Sequence, residues 1–276
     1  DIKKINDLNS INFSRSRGAR LGAAVTLTRI LSDQDLIDNF SGLVQAARSV
    51  ATGQIRNMGT LGGNLCQRPW CWYFRHPAFD CFKKGGKQCY AITGDNSTYF
   101  SIYDIGTCVM AHPSDTAPAL ISLDAKVKIA SVRGEREINL SDFFLGPKYV
   151  QDNVLETDEL LVSVNVPKQS STRRSVYLKH RIRNNWDFAL VSVAASGNVD
   201  SQGNIEAINL VLGAVAPHPV LVNDVKSVLI GRKLDQESML VVNKLLSEKA
   251  KPLRMNKYKV RIVRALVRRA LESIFL

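Results

Sequence analysis

The sequence predicts an α+β chain, and three observations carry that expectation. The first half alternates short strand-like apolar runs with a stretch of helical periodicity. A polar stretch, Pro167-Lys168-Gln169-Ser170-Ser171-Thr172, reads as a boundary between two units. Beyond it, three strand-like runs come first and three helix-like runs follow, which suits a three-stranded sheet covered by helices. The expected units are residues 1–168 and 173–276.

In chain order, Arg20 to Leu27 reads as a buried strand, and Thr28, Ser32 and Asp33 offer helix-capping side chains. From Asp35, the residues Leu36, Phe40, Leu43, Val44, Ala47 and Val50 recur at helical spacing and predict one helix ending near Thr52-Gly53. Thr107 to Ala111 reads as a strand. Pro113-Ser114-Asp115 opens a short helix through Leu123, with Asp115 as a capping carboxylate. The runs 125–129 and 136–140 alternate around Arg133-Gly134 as a hairpin. Leu160 to Val166 is a strand ended by Pro167. The later strands are expected at 176–180, 189–194 and 205–215, and the helices near 222–229, 235–248 and 256–273. The last helix sets Val260, Val263, Val267, Ala270 and Leu271 on one face, the spacing of core packing.

Composition excludes several classes. No run of about twenty apolar residues occurs, so no membrane span is expected. The net charge is +12, but no nucleic-acid-binding signature accompanies it. The excess reads as a basic surface facing acidic partners or solvent, not nucleic acid. His76, His112, His180 and His218 are scattered, and no HExxH, nucleophile elbow or Walker motif appears, so no catalytic residue is assigned. The compartment, cytoplasm or periplasm, stays undecided.

Chemistry concentrates between Gln54 and Cys108. Thr60-Leu61-Gly62-Gly63-Asn64 has adjacent glycines that let a backbone approach a ligand closely, or simply make a tight turn. Its N–H groups can form an anion-binding nest. All five cysteines follow, at 66, 71, 81, 89 and 108, in a long stretch without regular apolar pattern. Spacing alone leaves three readings open: an iron–sulfur cluster, a zinc site, or free thiols.

The run Ile55-Arg56-Asn57-Met58-Gly59-Thr60-Leu61-Gly62-Gly63-Asn64 resembles the second flavin-binding loop of the molybdenum hydroxylase FAD subunits, the xanthine dehydrogenase family. Ala111-His112-Pro113-Ser114-Asp115-Thr116-Ala117-Pro118-Ala119-Leu120 resembles that family's Pro-x-Ser-Asp segment. The likeness continues at Glu159 to Val164 and at Tyr177-Leu178-Lys179-His180. It implies an FAD-binding domain of the family's PCMH type, followed by a C-terminal domain like that of CO dehydrogenase flavoproteins. Thr60, Leu61, Gly62, Gly63, Asn64, Asp115, Leu161 and Lys179 are then the expected FAD contacts, with Lys179 near the flavin ring. Trp186 can cover a flavin face or simply pack, and packing is the expectation.

The cysteine-rich insertion at about 66–108 resembles a subgroup that carries an additional [4Fe-4S] cluster: the aldehyde oxidoreductase and 4-hydroxybenzoyl-CoA reductase flavin subunits. Cys71, Cys81, Cys89 and Cys108 are the implied ligands, with Cys66 spare. The implied role is electron transfer through FAD beside a molybdopterin-binding large subunit and a [2Fe-2S] small subunit, in a heterotrimer that oxidises an aldehyde. The alternatives are an aromatic acyl-CoA reductase subunit, or a flavin-deficient structural or assembly subunit with a metal-stapled cysteine loop. The family also implies a first glycine loop for the FAD pyrophosphate, and nothing before Gly53 matches it.

Overall fold

A computed structural model describes residues 2–184 and 186–276. β1 (Ile11–Ser14) and β2 (Gly18–Gly22) form a hairpin. Five short helices follow: α1 (Leu27–Ser32), α2 (Gln34–Asn39), α3 (Ser41–Ser49), α4 (Gly53–Met58) and α5 (Leu61–Leu65). The cysteine-bearing segment contains α6 (Trp72–Arg75), and α7 (Thr116–Ser122) comes after it. β3 (Lys126–Ser131), β4 (Gly134–Asn139) and β5 (Leu160–Pro167) complete an antiparallel sheet ordered β1-β2-β5-β3-β4. A second antiparallel sheet runs β6 (Arg174–His180), β7 (Val191–Val199), β8 (Ile205–Gly213), β9 (Val220–Leu221). α8 (Val225–Leu229), α9 (Gln236–Lys249) and α10 (Lys259–Phe275) follow, and α10 lies across β6 and β7. The α+β expectation therefore holds.

The core explains the layout. One apolar cluster joins Leu21, Val127 and Val164 of the first sheet to Leu43, Leu61 and Leu120 of the helices. It reaches Tyr177, Ala194 and Val211 of the second sheet, so α3 and α7 are packed between the sheets. A second cluster fills the space between the second sheet and α8–α10, and it takes in Ile102 and Tyr103 from the cysteine segment.

Five expectations change. The strand expected from Arg20 to Leu27 ends at Gly22, and α1 already begins at Leu27, with the Thr26 hydroxyl accepting from Arg29 N. The helix from Asp35 is two helices, broken at Phe40, whose backbone is not helical (φ −136°, ψ 52°). Phe40 is buried edge-on to Phe13. The restart brings Ser41 and Gly42 onto β6, where Ser41 Oγ donates to the Ser175 carbonyl at 2.7 Å and Gly42 N donates to Ser175 Oγ at 3.0 Å. Tertiary contacts outweigh the periodicity there. The second sheet has a fourth strand, β9, whose two residues are too short for any periodic signal. Thr107 to Ala111 makes only an isolated bridge between Phe100 and Met110. The helix after Pro113 starts at Thr116, and Ser114 Oγ, not Asp115, accepts from the Ala117 N–H at 3.0 Å.

Candidate functional site

The Gly-Gly turn is built against β2 and α1. Thr60 bridges to Thr26, and its hydroxyl accepts from Gly63 N at 3.1 Å. Leu61 N and Gly62 N donate to the Val25 and Ala23 carbonyls, both at 2.8 Å. These N–H groups are engaged within the chain, so the anion nest that two glycines suggest is not formed by them. Gly62 is required for a different reason. A Cβ there would stand 2.9 Å from Ala23 Cβ and 2.9 Å from the Ala23 carbonyl oxygen. Leu61 is fully buried and anchors the turn, a burial that contributes about 1.5–3 kcal/mol.

The turn forms one side of a cavity of about 550 Å³. Thr60, Gly63, Asn64 and Asp115 line it, and apolar side chains of Leu27, Val50, Ile55 and Met58 complete much of the wall. Leu61 and Gly62 lie behind that wall. Leu161 is buried in the core beside the turn and does not line the cavity. Lys179 reaches it only through Asp115.

Asp115 is the chemically distinctive wall residue. It is buried, and its carboxylate accepts from Tyr177 Oη at 2.5 Å and from Lys179 Nζ at 2.8 Å. Lys179 also donates to the Ser49 carbonyl at 3.1 Å. Burial pushes the Asp115 carboxyl above the usual carboxylate range, and the adjacent Lys179 ammonium pulls the other way. The same burial, with Asp115 alongside, raises the Tyr177 phenol well above its ordinary value. Beside Asp115, the Asn64 amide oxygen accepts from Ser114 Oγ at 2.7 Å and from Thr116 Oγ1 at 2.6 Å, which ties the Gly-Gly turn to α7.

Several wall residues carried little sequence signal. Trp186, Asp187 and Phe188, from the connection between β6 and β7, line the cavity. Trp186 is 71% exposed instead of packed, with its backbone left-handed at φ 63°. Ala51, another wall residue, is left-handed at φ 40°. Left-handed backbone at residues other than glycine gathers at ligand-binding sites, but only the tertiary structure reveals it.

Cys71, Cys81, Cys89 and Cys108 come together around a second, small cavity, with Phe74, Tyr90, Phe100 and Lys83 beside them. Cys66 lies apart, against the first core cluster. Burial raises the Cys71 thiol to about 11. A hydrogen bond from Cys108 brings Cys89 down to about 6, and the same bond, with burial, pushes Cys108 up. Lys83 is buried and pairs with Asp152 at 2.7 Å. Among the described residues, no group of three or more His, Cys, Asp or Glu side chains is set to hold a single metal ion. No described helix is long and apolar enough to cross a membrane.

Residues 1–169 match the FAD binding domain in molybdopterin dehydrogenase, and residues 176–274 match the CO dehydrogenase flavoprotein C-terminal domain. The chain is 34% identical over 216 residues to the aldehyde oxidoreductase FAD-binding subunit PaoB of Escherichia coli (strain K12), covering 77% of this chain and 66% of that subunit. It is 28% identical over 221 residues to the putative xanthine dehydrogenase FAD-binding subunit XdhB of the same organism, covering 80% and 60%. It therefore spans less than two thirds of the length of these relatives. Its fold resembles a chain of the carbon monoxide dehydrogenase from Hydrogenophaga pseudoflava, with TM-score 0.76 at 20% identity over 99% of this chain and 80% of that one. With the FAD binding domain matched over residues 1–169, more than half of its length, the chain belongs to the family of FAD-binding domains found in molybdopterin dehydrogenases.

Proposed function

We propose that this chain is the flavin-bearing, electron-transfer part of a molybdenum hydroxylase complex, and that its cysteine segment holds a [4Fe-4S] cluster. The observation that carries the reading is the presence of two cavities in one chain: an apolar cavity bordered by the Gly-Gly turn and Asp115, and a second one ringed by four cysteines. When bound, FAD supplies exchange between two-electron and one-electron chemistry, and an iron–sulfur cluster supplies one-electron relay. The chain's own residues hold and tune. Thr60, Gly63 and Asn64 shape one wall, while Leu27, Val50, Ile55 and Met58 exclude water. Asp115 offers a carboxylate fixed by Tyr177 and Lys179, able to accept from a hydroxyl or ring N–H of the ligand.

Four cysteines around one cavity match the ligand count of a cubane, which takes one thiolate at each of four irons. The aromatic wall keeps solvent away, and Lys83 puts a positive charge beside what would be an anionic group. The name of PaoB supports an aldehyde as the substrate of the complex, oxidised on another subunit. The partners that follow are a molybdopterin-binding subunit and a [2Fe-2S] subunit.

The test is an absorption spectrum of anaerobically purified full-length protein with iron and flavin quantified. Flavin together with about four irons per chain is expected, as cubane stoichiometry requires. Cys89→Ser should lose the iron and keep the flavin. Zinc in place of iron sinks the cluster, and a protein without flavin sinks the electron-transfer role. Reduction of the complex by an aromatic acyl-CoA couple, and not by aldehydes, would replace the substrate class.

A further inference from the structure

The wall of the flavin cavity is tied to the cysteine segment by contacts from Trp70 and Tyr99, which do not line the cysteine cavity. Asp187 is buried at the turn that leads into β7. Its carboxylate accepts from the Arg183 N–H at 3.1 Å and from the Tyr99 hydroxyl, which comes from the cysteine segment. The next residue, Phe188, stacks on Trp70 with ring centroids 5.4 Å apart and planes 29° off parallel. Tyr99 meets Phe188 edge-on at 6.0 Å. The Arg75 guanidinium lies over the same Trp70 ring, 5.3 Å from its centroid. Trp186, immediately before Asp187, lines the cavity and is otherwise exposed. Its left-handed backbone is an unfavourable state for a bulky residue, and it persists only where the surroundings over-determine it. The hydrogen bond and ring contacts on Asp187 and Phe188 provide that constraint.

We propose that Tyr99 and Trp70 are positioning residues for the flavin site: by clamping Asp187 and Phe188 they hold Trp186 across the cavity mouth, so that the cysteine insertion sets how tightly the flavin is enclosed and how far solutes reach it. The inference rests on the flavin reading above and adds a mechanical role for the insertion alongside cluster binding. An insertion that served only the cluster would have no need of an aromatic stack and a buried carboxylate contact on the flavin side.

The experiment uses the full-length protein in its complex, with flavin and iron content read first. The rate of flavin release and the accessibility of bound flavin to iodide are then followed by fluorescence. Tyr99→Phe keeps the ring and removes the hydroxyl. It should release flavin about tenfold faster, the factor expected for one lost hydrogen bond to a carboxylate, with iron content unchanged. Trp186→Ala should speed release and raise iodide access, and adding Tyr99→Phe to it should change nothing more, because both act through one residue. Unchanged release and access in Tyr99→Phe overturn the clamp, as do independent, multiplying effects in the double variant. A protein that holds no flavin overturns the functional reading, and the clamp falls with it. Flavin present but insensitive to Tyr99 removes the clamp alone.

Discussion

Gly62 shows how one missing Cβ can define a site. Its role is close approach to Ala23, not free N–H groups for an anion. Gly62→Ala forces an overpacked contact costing about 1–3 kcal/mol. The expected outcome is a lower melting temperature together with reduced flavin content, measured by thermal unfolding and by absorbance. Gly53→Ala is the control. Gly53 opens α4 with nothing within 4 Å of the added Cβ, so that variant should be neutral or stabilised by about 0.4–1 kcal/mol. Asp115 and Lys179 illustrate the opposite kind of residue. Their types suggested a charged contact with the ligand, but the structure commits each chiefly to the other. The charge offered to the cavity is therefore a fixed, internally balanced one.

Among the elements, α10 does more than cover the second sheet. Lys259 at its start is completely buried and donates to three carbonyls: Thr98 at 3.1 Å, Phe100 at 2.8 Å and Ala214 at 2.9 Å. Asn256, just before the helix, donates to the Ser101 carbonyl at 3.0 Å, and Tyr258 donates to Ser97 at 2.6 Å. The stretch that leads to Cys108 is thus pinned to the C-terminal helix. Lys259→Met leaves buried acceptors without partners, at about 1–3 kcal/mol each. Hydrogen exchange should accelerate at the Ser101 and Ile102 amides, which pair with Val109 and Val215, before it does in β7 and β8. Equal acceleration everywhere would show that the pinning is not local. Nothing in the sequence singles out Lys259, because burial of a charged residue at a helix start has no periodic signature.

At the scale of the whole molecule, His112 sits where the two sheets and the Gly-Gly turn meet. Its backbone N–H donates to the Ala216 carbonyl at 2.8 Å, and its ring meets Phe144 edge-on at 4.6 Å. Burial lowers its pKa to about 3. The unfolded chain therefore takes up this proton first on acidification. The stability is fully present above about pH 6.5 and falls as the pH drops toward 3. By pH 5 the loss attributable to this group is about 2 kcal/mol. Denaturant unfolding at pH 7 and pH 5 should show that loss, and His112→Gln should flatten it. Asp115, with its pKa raised, contributes in the opposite direction, and it cancels in the comparison of variant with unaltered protein.

Much of this was legible in the sequence. Alternating runs gave the β3–β4 hairpin and β5, and β5 ends on Pro167, which pairs with Gly18 but has no N–H to donate onward. The spacing of valines and alanines gave α10, and the Gly-Gly and Pro-Ser-Asp runs marked the residues that meet around Asn64. These signals are local, set by backbone period and by residue type. Other features depended on contacts between distant segments. The break at Phe40 answers to Ser175, the wall of the cavity depends on Trp186 and Ala51 held left-handed, and the four cysteines converge across nearly forty residues of irregular chain. Periodicity carries no information about such meetings, because each is decided by which surfaces the packed core brings together.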